Sequence, residues 1–363
     1  MQNTNSRSTL TGSPFRPALA SMKAYKPGEQ PRGGELVKLN TNENPYPPPP
    51  AVVKAICDAA SGPLNRYPNP MADSFRIAAA EALDLPGPDW ILAGNGSDEI
   101  LTILVRGFVG EGQRLRLPHP SYILYRTLAD IQGANWEQVA FNPDWSLPPS
   151  FTQNDESLRL VLLPNPNSPS GTMIAPGDVE RIAGELDCPL VVDEAYVDFA
   201  DDDCLDLVRR HENIMVTRTL SKSYALAGVR FGYLVAQPHI IAELSKIKDS
   251  YNCDMLAIAA ATAAIQSRQW LSEIRETMIA TRHRMSLRLA QMGFVVTPSQ
   301  ANFVWCQHPT ADHQAIYEHC KAGGYLIRYM NYPGYGDGVR VSVGTDAQVD
   351  ACLDLIEGYL KRT

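Results

Sequence analysis

A lysine that closes an apolar strand is out of place unless it does chemistry. Ile214, Met215 and Val216 read as a buried strand, and the chain then runs through Thr217, Arg218, Thr219, Leu220 and Ser221 to Lys222. Burying an ammonium without a partner is costly, so most lysines stay in solvent. Here the hydroxyls of Thr219, Ser221 and Ser223 crowd the amine, and Arg230 follows eight residues later. A desolvated lysine beside a second cation gives up its proton more readily. It becomes a nucleophilic amine, suited to a Schiff base with an aldehyde.

Other strand-end motifs can serve the same centre. Gly94-Asn95-Gly96-Ser97-Asp98 follows a strand and opens a helix, where free amides and the positive helix end hold an anion. A plain turn with a helix cap reads the same way, and Glu99 stands where a dinucleotide fingerprint needs its third glycine. Leu190-Val191-Val192-Asp193 is a buried strand ending in a carboxylate, but no Gly-x4-Gly-Lys loop exists to make it a phosphoryl-transfer site. Asp193 is either a cap or surface residue, or the anion facing a buried cation such as a protonated pyridine nitrogen. Tyr122 and Tyr196 each follow a strand-end turn. They are core phenols, or one stacks on a cofactor ring while the other bonds its phenolate oxygen. The histidines lack metal-ligand spacing, so no metal is expected. Taken together, an anion cradle, a strand-end carboxylate, two tyrosines and a lysine with a trailing arginine match the groups of pyridoxal 5′-phosphate.

Positioning these residues requires a sheet whose strand ends converge. Apolar runs predict strands at 90–93, 114–117, 158–163, 189–192 and 214–216, and helical periodicity falls between most of them. Alternating strands and helices define an α/β fold with a largely parallel sheet, and ligands bind beyond the carboxyl ends of such strands. From about residue 250 the pattern changes to helices at 254–266, 268–292, 312–322 and 345–361 with short strands at 294–296, 302–306, 325–328 and 339–343. This predicts a smaller α+β unit. The expected divisions are a tail and arm over 1–34, a segment joining the small domain over 35–64, a large domain over 65–250 and a small domain over 251–363.

Composition sets the outer limits. The 363 residues are 44% hydrophobic and 20% charged, enough for a full core. A formal net charge of −8 argues against nucleic acid or an acidic membrane as partner. Seven scattered cysteines without a Cys-x-x-Cys pair suggest reduced, mostly buried thiols. A polar N-terminal stretch and the absence of a long apolar run lead to the expectation of a soluble, cytoplasmic protein.

From about Tyr25 to the C-terminus the sequence resembles the fold-type I pyridoxal-phosphate aminotransferases of the class II subfamily. Ser221-Lys222 with Gly228-Val229-Arg230-Phe231-Gly232 carries the resemblance most specifically. It implies that Lys222 holds the cofactor aldehyde and shuttles the proton, with Asp193 on the pyridine nitrogen, Tyr196 on the phenolate oxygen and Tyr122 stacked on the ring. It implies a phosphate cradle of Arg230, Ser221 and Thr219 with Gly96 and the amides of Ser97 and Asp98. Tyr67 would reach the cofactor of a neighbouring subunit, which implies a homodimer with shared sites. Where the family has Asn-Asn-Pro-Thr-Gly this chain has Asn167-Ser168-Pro169-Ser170-Gly171. Either Asn167 or Ser168 would then meet the phenolate oxygen, and Asn167 is the expectation. Arg340 resembles the arginine that grips the α-carboxylate of glutamate. Tyr25 and Arg328, with Asn42 in the 40–44 segment, resemble the residues that bind a phosphorylated amino alcohol, and Arg328 is otherwise a surface salt bridge. The implied reaction exchanges an amino group between L-glutamate/2-oxoglutarate and imidazole acetol phosphate/L-histidinol phosphate. An aromatic or broad-range aminotransferase, a threonine-phosphate decarboxylase and a non-catalytic sensor are the alternatives.

Overall fold

In the computed structural model, residues 36–362 are described, together with Phe15, Arg16, Leu19, Met22 and Glu29. The central element is a seven-stranded sheet. Its strands are β2 (Ile91–Gly94), β3 (Arg114–His119), β4 (Asn135–Ala140), β5 (Leu158–Pro164), β6 (Leu190–Asp193), β7 (Ile214–Thr219) and β8 (Gly232–Val235), while β1 (Val37–Lys38) lies outside it. The spatial order is β2-β8-β7-β6-β5-β3-β4. Pairing is parallel from β7 to β4, and β8 runs antiparallel to both β7 and β2.

Both faces of this sheet are covered, which explains the unbroken apolar runs. Along β5, Val161 and Leu163 enter one buried cluster while Leu160 and Leu162 enter the other; on β7, Ile214 and Val216 oppose Met215 in the same way. One face carries helices α1 (Pro50–Ala60) and α2 (Asp73–Ala82). The other carries α3 (Ser97–Phe108) and α4 (Leu124–Gln132). Further along the chain come α5 (Pro176–Glu185), α6 (Leu205–Arg210), α7 (Pro238–Leu244), α8 (Met255–Gln266) and α9 (Arg268–Gln291).

A second sheet, in the order β12-β13-β10-β9, is antiparallel throughout and comprises β9 (Val295–Val296), β10 (Phe303–Gln307), β12 (Arg328–Tyr332) and β13 (Gly336–Ser342). α10 (His313–Ala322), α11 (Asp346–Leu360) and α9 cover it around a third cluster. α11 opens with a capping box between Thr345 and Gln348, the expected start for a polar-to-apolar transition. The strand expected at 325–328 is split: β11 (Tyr325–Leu326) pairs in parallel with β1, and β12 turns to β13.

One boundary shifts. α8, expected in the smaller unit, is apolar on every side and buries Ala257, Ile258, Ala260, Ala261, Ala264 and Ile265 in the core of the large sheet beside Val52 of α1. A helix with no polar stripe needs neighbours all round, so the packing divides the chain after α8, and α1 also belongs to the larger body. No described helix is long and apolar enough to cross a membrane.

Candidate active site

The strand ends of the large sheet converge as expected. Gly96 (φ +80°) stands before α3, no side chain caps that helix, and Ser97 is its first residue rather than its cap. The first amides of α3 are therefore left to an anion. A Cβ on Gly96 would lie 2.6 Å from Arg230 Nη2, so glycine lets the guanidinium close over the helix start. Arg230 Nη1 donates to Ser221 Oγ (3.1 Å) and Nη2 to Asp98 Oδ2 (3.3 Å). Tyr122 donates to the other oxygen of Asp98 (3.2 Å). The buried Thr219 hydroxyl is taken up by Ser221 Oγ (3.0 Å) and the Phe231 carbonyl (3.3 Å). Thr219 therefore orients Ser221 instead of facing the cradle itself.

Lys222, half-buried, lies three residues past β7. Its Nζ donates to the Thr41 carbonyl (3.1 Å) and is 5.7 Å from the centre of the Tyr196 ring. Asp193 ends β6 and is 5% exposed. Burial pushes its carboxyl up to about 6 against the bonds from Tyr125 and Ala195. Tyr125 donates to Oδ2 (2.7 Å) and the Ala195 amide to Oδ1 (3.2 Å), and neither is a cation. A carboxylate buried with neutral partners is completed by a protonated ring nitrogen. Next to it, Glu194 is tied to Arg218 (2.6 Å) and fixes the ends of β6 and β7 together. The donor set fits pyridoxal phosphate: open amides with an arginine for its phosphate, a lone buried anion for its nitrogen, and an amine for its aldehyde.

Two of the expected contacts change. Asn167 turns its amide nitrogen to the Pro120 carbonyl just past β3 (3.2 Å) and to Ser170 Oγ in its own loop (2.9 Å), so both of its donor protons are spent on the protein. Ser168 instead accepts from Arg340 Nη1 (2.9 Å) and keeps its own proton free for an acceptor in the cleft. Asn42 is 1% exposed and donates to Tyr196 Oη (3.0 Å), so its amide supports the tyrosine and does not meet substrate. Tyr67, 78% exposed, stacks on Tyr251 (4.3 Å between ring centres) and is not brought to this chain's own cradle. Tyr25 lies outside the described residues.

The two arginines do come together. Arg328 and Arg340 face each other across the β12–β13 ladder, and Arg340 Nη2 also donates to the Asn40 carbonyl (3.0 Å). Tyr125 was missed by sequence reasoning, because a tyrosine in the first turn of a helix, with Leu128 and Ala129 on the same buried face, looks like core. Ser342 was missed because a small buried hydroxyl between Val341 and Val343 at the end of β13 reads as sheet core. Among the described residues no three His, Cys, Asp or Glu side chains form a metal site.

Fold and site together define an aminotransferase, and the comparisons agree. Residues 34–356 match the family Aminotransferase class I and II. The chain belongs to that family and is a pyridoxal-phosphate-dependent transferase. It is 67% identical over 343 residues to the histidinol-phosphate aminotransferase of Rhodopirellula baltica, covering 94% of this chain and 95% of that one. It is 43% identical over 344 residues to that of Geobacter sulfurreducens, covering 94% and 97%. The crystal structure of histidinol-phosphate aminotransferase from Sinorhizobium meliloti in complex with pyridoxal-5′-phosphate superposes with a TM-score of 0.82, covering 97% of this chain and 99% of that one at 24% identity.

Proposed function

We propose that the protein transfers the amino group of L-glutamate to imidazole acetol phosphate, giving 2-oxoglutarate and L-histidinol phosphate, a step of histidine biosynthesis. The observation that carries the substrate is the arginine pair. Arg328 and Arg340 stand directly opposite each other on neighbouring strands, which puts two guanidinium groups in one place. Guanidinium forks suit a carboxylate or a phosphate, so the pair matches a substrate that carries such anionic groups. The names of the relatives support the same substrate.

When bound, pyridoxal phosphate supplies the aldehyde that takes up the amino group and the ring that accepts the electron pair of the breaking Cα–H bond. The chain does the rest. Lys222 Nζ takes the proton from Cα and returns it on the other side of the exchange, as general base and then acid. Asp193 would keep the ring nitrogen protonated, Arg230 and Ser221 with the α3 amides would anchor the phosphate, and Tyr196 and Ser168 would hydrogen-bond the ring oxygen. Arg340 holds the α-carboxylate of glutamate and Arg328 the phosphate of the second substrate. The enzyme works as a cytoplasmic homodimer, without nucleic acid as partner.

Steady-state rates with imidazole acetol phosphate and with phenylpyruvate test the proposal. The expected result is a clear preference for the phosphorylated substrate. Arg328→Ala should raise its KM about 10- to 100-fold, the worth of a lost charged hydrogen bond, while the KM for glutamate changes far less. A preference for phenylpyruvate that Arg328→Ala leaves untouched would sink the substrate assignment.

A further inference from the structure

Three successive residues of the segment after β1 each engage one working side chain. The Asn40 carbonyl accepts from Arg340, the Thr41 carbonyl from Lys222, and the Asn42 amide donates to Tyr196. The third contact has a direction, and that direction is set from the small sheet. Ser342 Oγ, on β13 two residues beyond Arg340, accepts the backbone N–H of Asn42 (2.9 Å) and donates its single proton to Asn42 Oδ1 (2.9 Å). With Oδ1 committed, the Asn42 side chain can present only its NH₂ to Tyr196 Oη (3.0 Å). Asn42 is held for this by a left-handed backbone (φ 57°), a conformation asparagine tolerates better than most residues, and by the Asn302 amide on its carbonyl (2.9 Å). A phenol that already accepts a bond has its own proton left to give.

We infer that Ser342 and Asn42 are positioning residues that fix Tyr196 as a hydrogen-bond donor toward the cofactor's ring oxygen. The inference rests on Tyr196 lying beside that oxygen, as proposed above. A bond donated to the oxygen stabilises it as an anion. The proton it shares with the lysine-linked nitrogen then leaves more readily, and the pH midpoint of the cofactor's visible absorption is held low. The same chain of bonds joins the strand that carries Arg340 to the cofactor's electronics.

The test is a spectrophotometric pH titration of the loaded enzyme. Tyr196→Phe should raise the midpoint by about one pH unit. Ser342→Ala frees Asn42 Oδ1, lets the amide turn its oxygen to Tyr196 and draws the phenol proton away, so the midpoint should rise in the same direction by less. In the Tyr196→Phe background Ser342→Ala should move it no further. A second variant, Asn42→Asp, keeps the left-handed backbone and offers only acceptors; its midpoint should rise more than that of Ser342→Ala. Mere loss of packing lowers cofactor content without moving the midpoint of what remains bound. An unchanged midpoint in Ser342→Ala, or an equal rise with and without Tyr196, overturns the relay. An unchanged midpoint in Tyr196→Phe overturns the placement of Tyr196 as well.

Discussion

The Asp193 carboxyl is raised to about 6 by burial, from an ordinary 3.8. The folded, cofactor-free protein thus binds this proton more tightly than the unfolded chain does. The resulting stability is fully present below the unfolded value of 3.8 and is lost as pH rises through about 6. A gap of that size is worth about 3 kcal/mol at neutral pH. Asp193→Asn removes the buried charge, so the cofactor-free variant should be more stable than the native protein at neutral pH and lose that advantage in acid. Denaturant unfolding at the two pH values reads the difference. The loaded enzyme should respond oppositely, releasing its cofactor more readily because the ring nitrogen loses its anion. An Asp193→Asn stability difference that is the same in acid and at neutral pH would show that the carboxyl is not the strained group.

At the scale of elements, the cradle depends on the close approach of β2 and β8, which pair Gly94 with Gly232. A Cβ on Gly232 would sit 2.6 Å from the Gly96 carbonyl carbon and 3.0 Å from the Arg218 carbonyl oxygen, both backbone atoms that cannot swing aside. Gly232→Ala should push the start of α3 away from Arg230 and weaken cofactor binding by about tenfold or more, the usual scale of an overpacked site. Gly184→Ala on α5 meets nothing within 4 Å and should leave that affinity unchanged; equal affinities in all three proteins would remove the close approach from the account. The sheet strands buried on two faces were legible because their apolar runs are continuous, as in β5 and β7. β4 was not: as an edge strand with the sequence Asn-Trp-Glu-Gln-Val-Ala it exposes half its residues and shows no such run. β8 was hidden because its four residues follow directly on the lysine loop. The role of Asn42 could not be read either, because its contact partners Tyr196 and Ser342 lie 154 and 300 residues away.

For the molecule as a whole, the segment from Leu39 to Asn44 ties the two bodies together. Leu39 accepts from Ser342 of the small sheet (2.9 Å), and Asn44 donates to the Ser223 carbonyl beside Lys222 (2.9 Å). Contacts of this segment thus reach Lys222, Tyr196 and Arg340 within one chain. Tyr67 is not among them: it and Tyr251 form an exposed, stacked aromatic pair. If Tyr67 completes the partner's cradle, each site takes Lys222 from one chain and Tyr67 from the other. Lys222→Ala should then abolish activity, and Tyr67→Ala should weaken the phosphate grip. Mixing the two variants under exchange creates heterodimers that hold one intact site and one doubly defective site. With equal amounts and random exchange, about a quarter of the native sites should be restored, measured as a rise in aminotransferase activity above the sum of the two variants alone. Activity that stays at that sum after exchange is verified would place Tyr67 in the service of its own chain and remove the shared site.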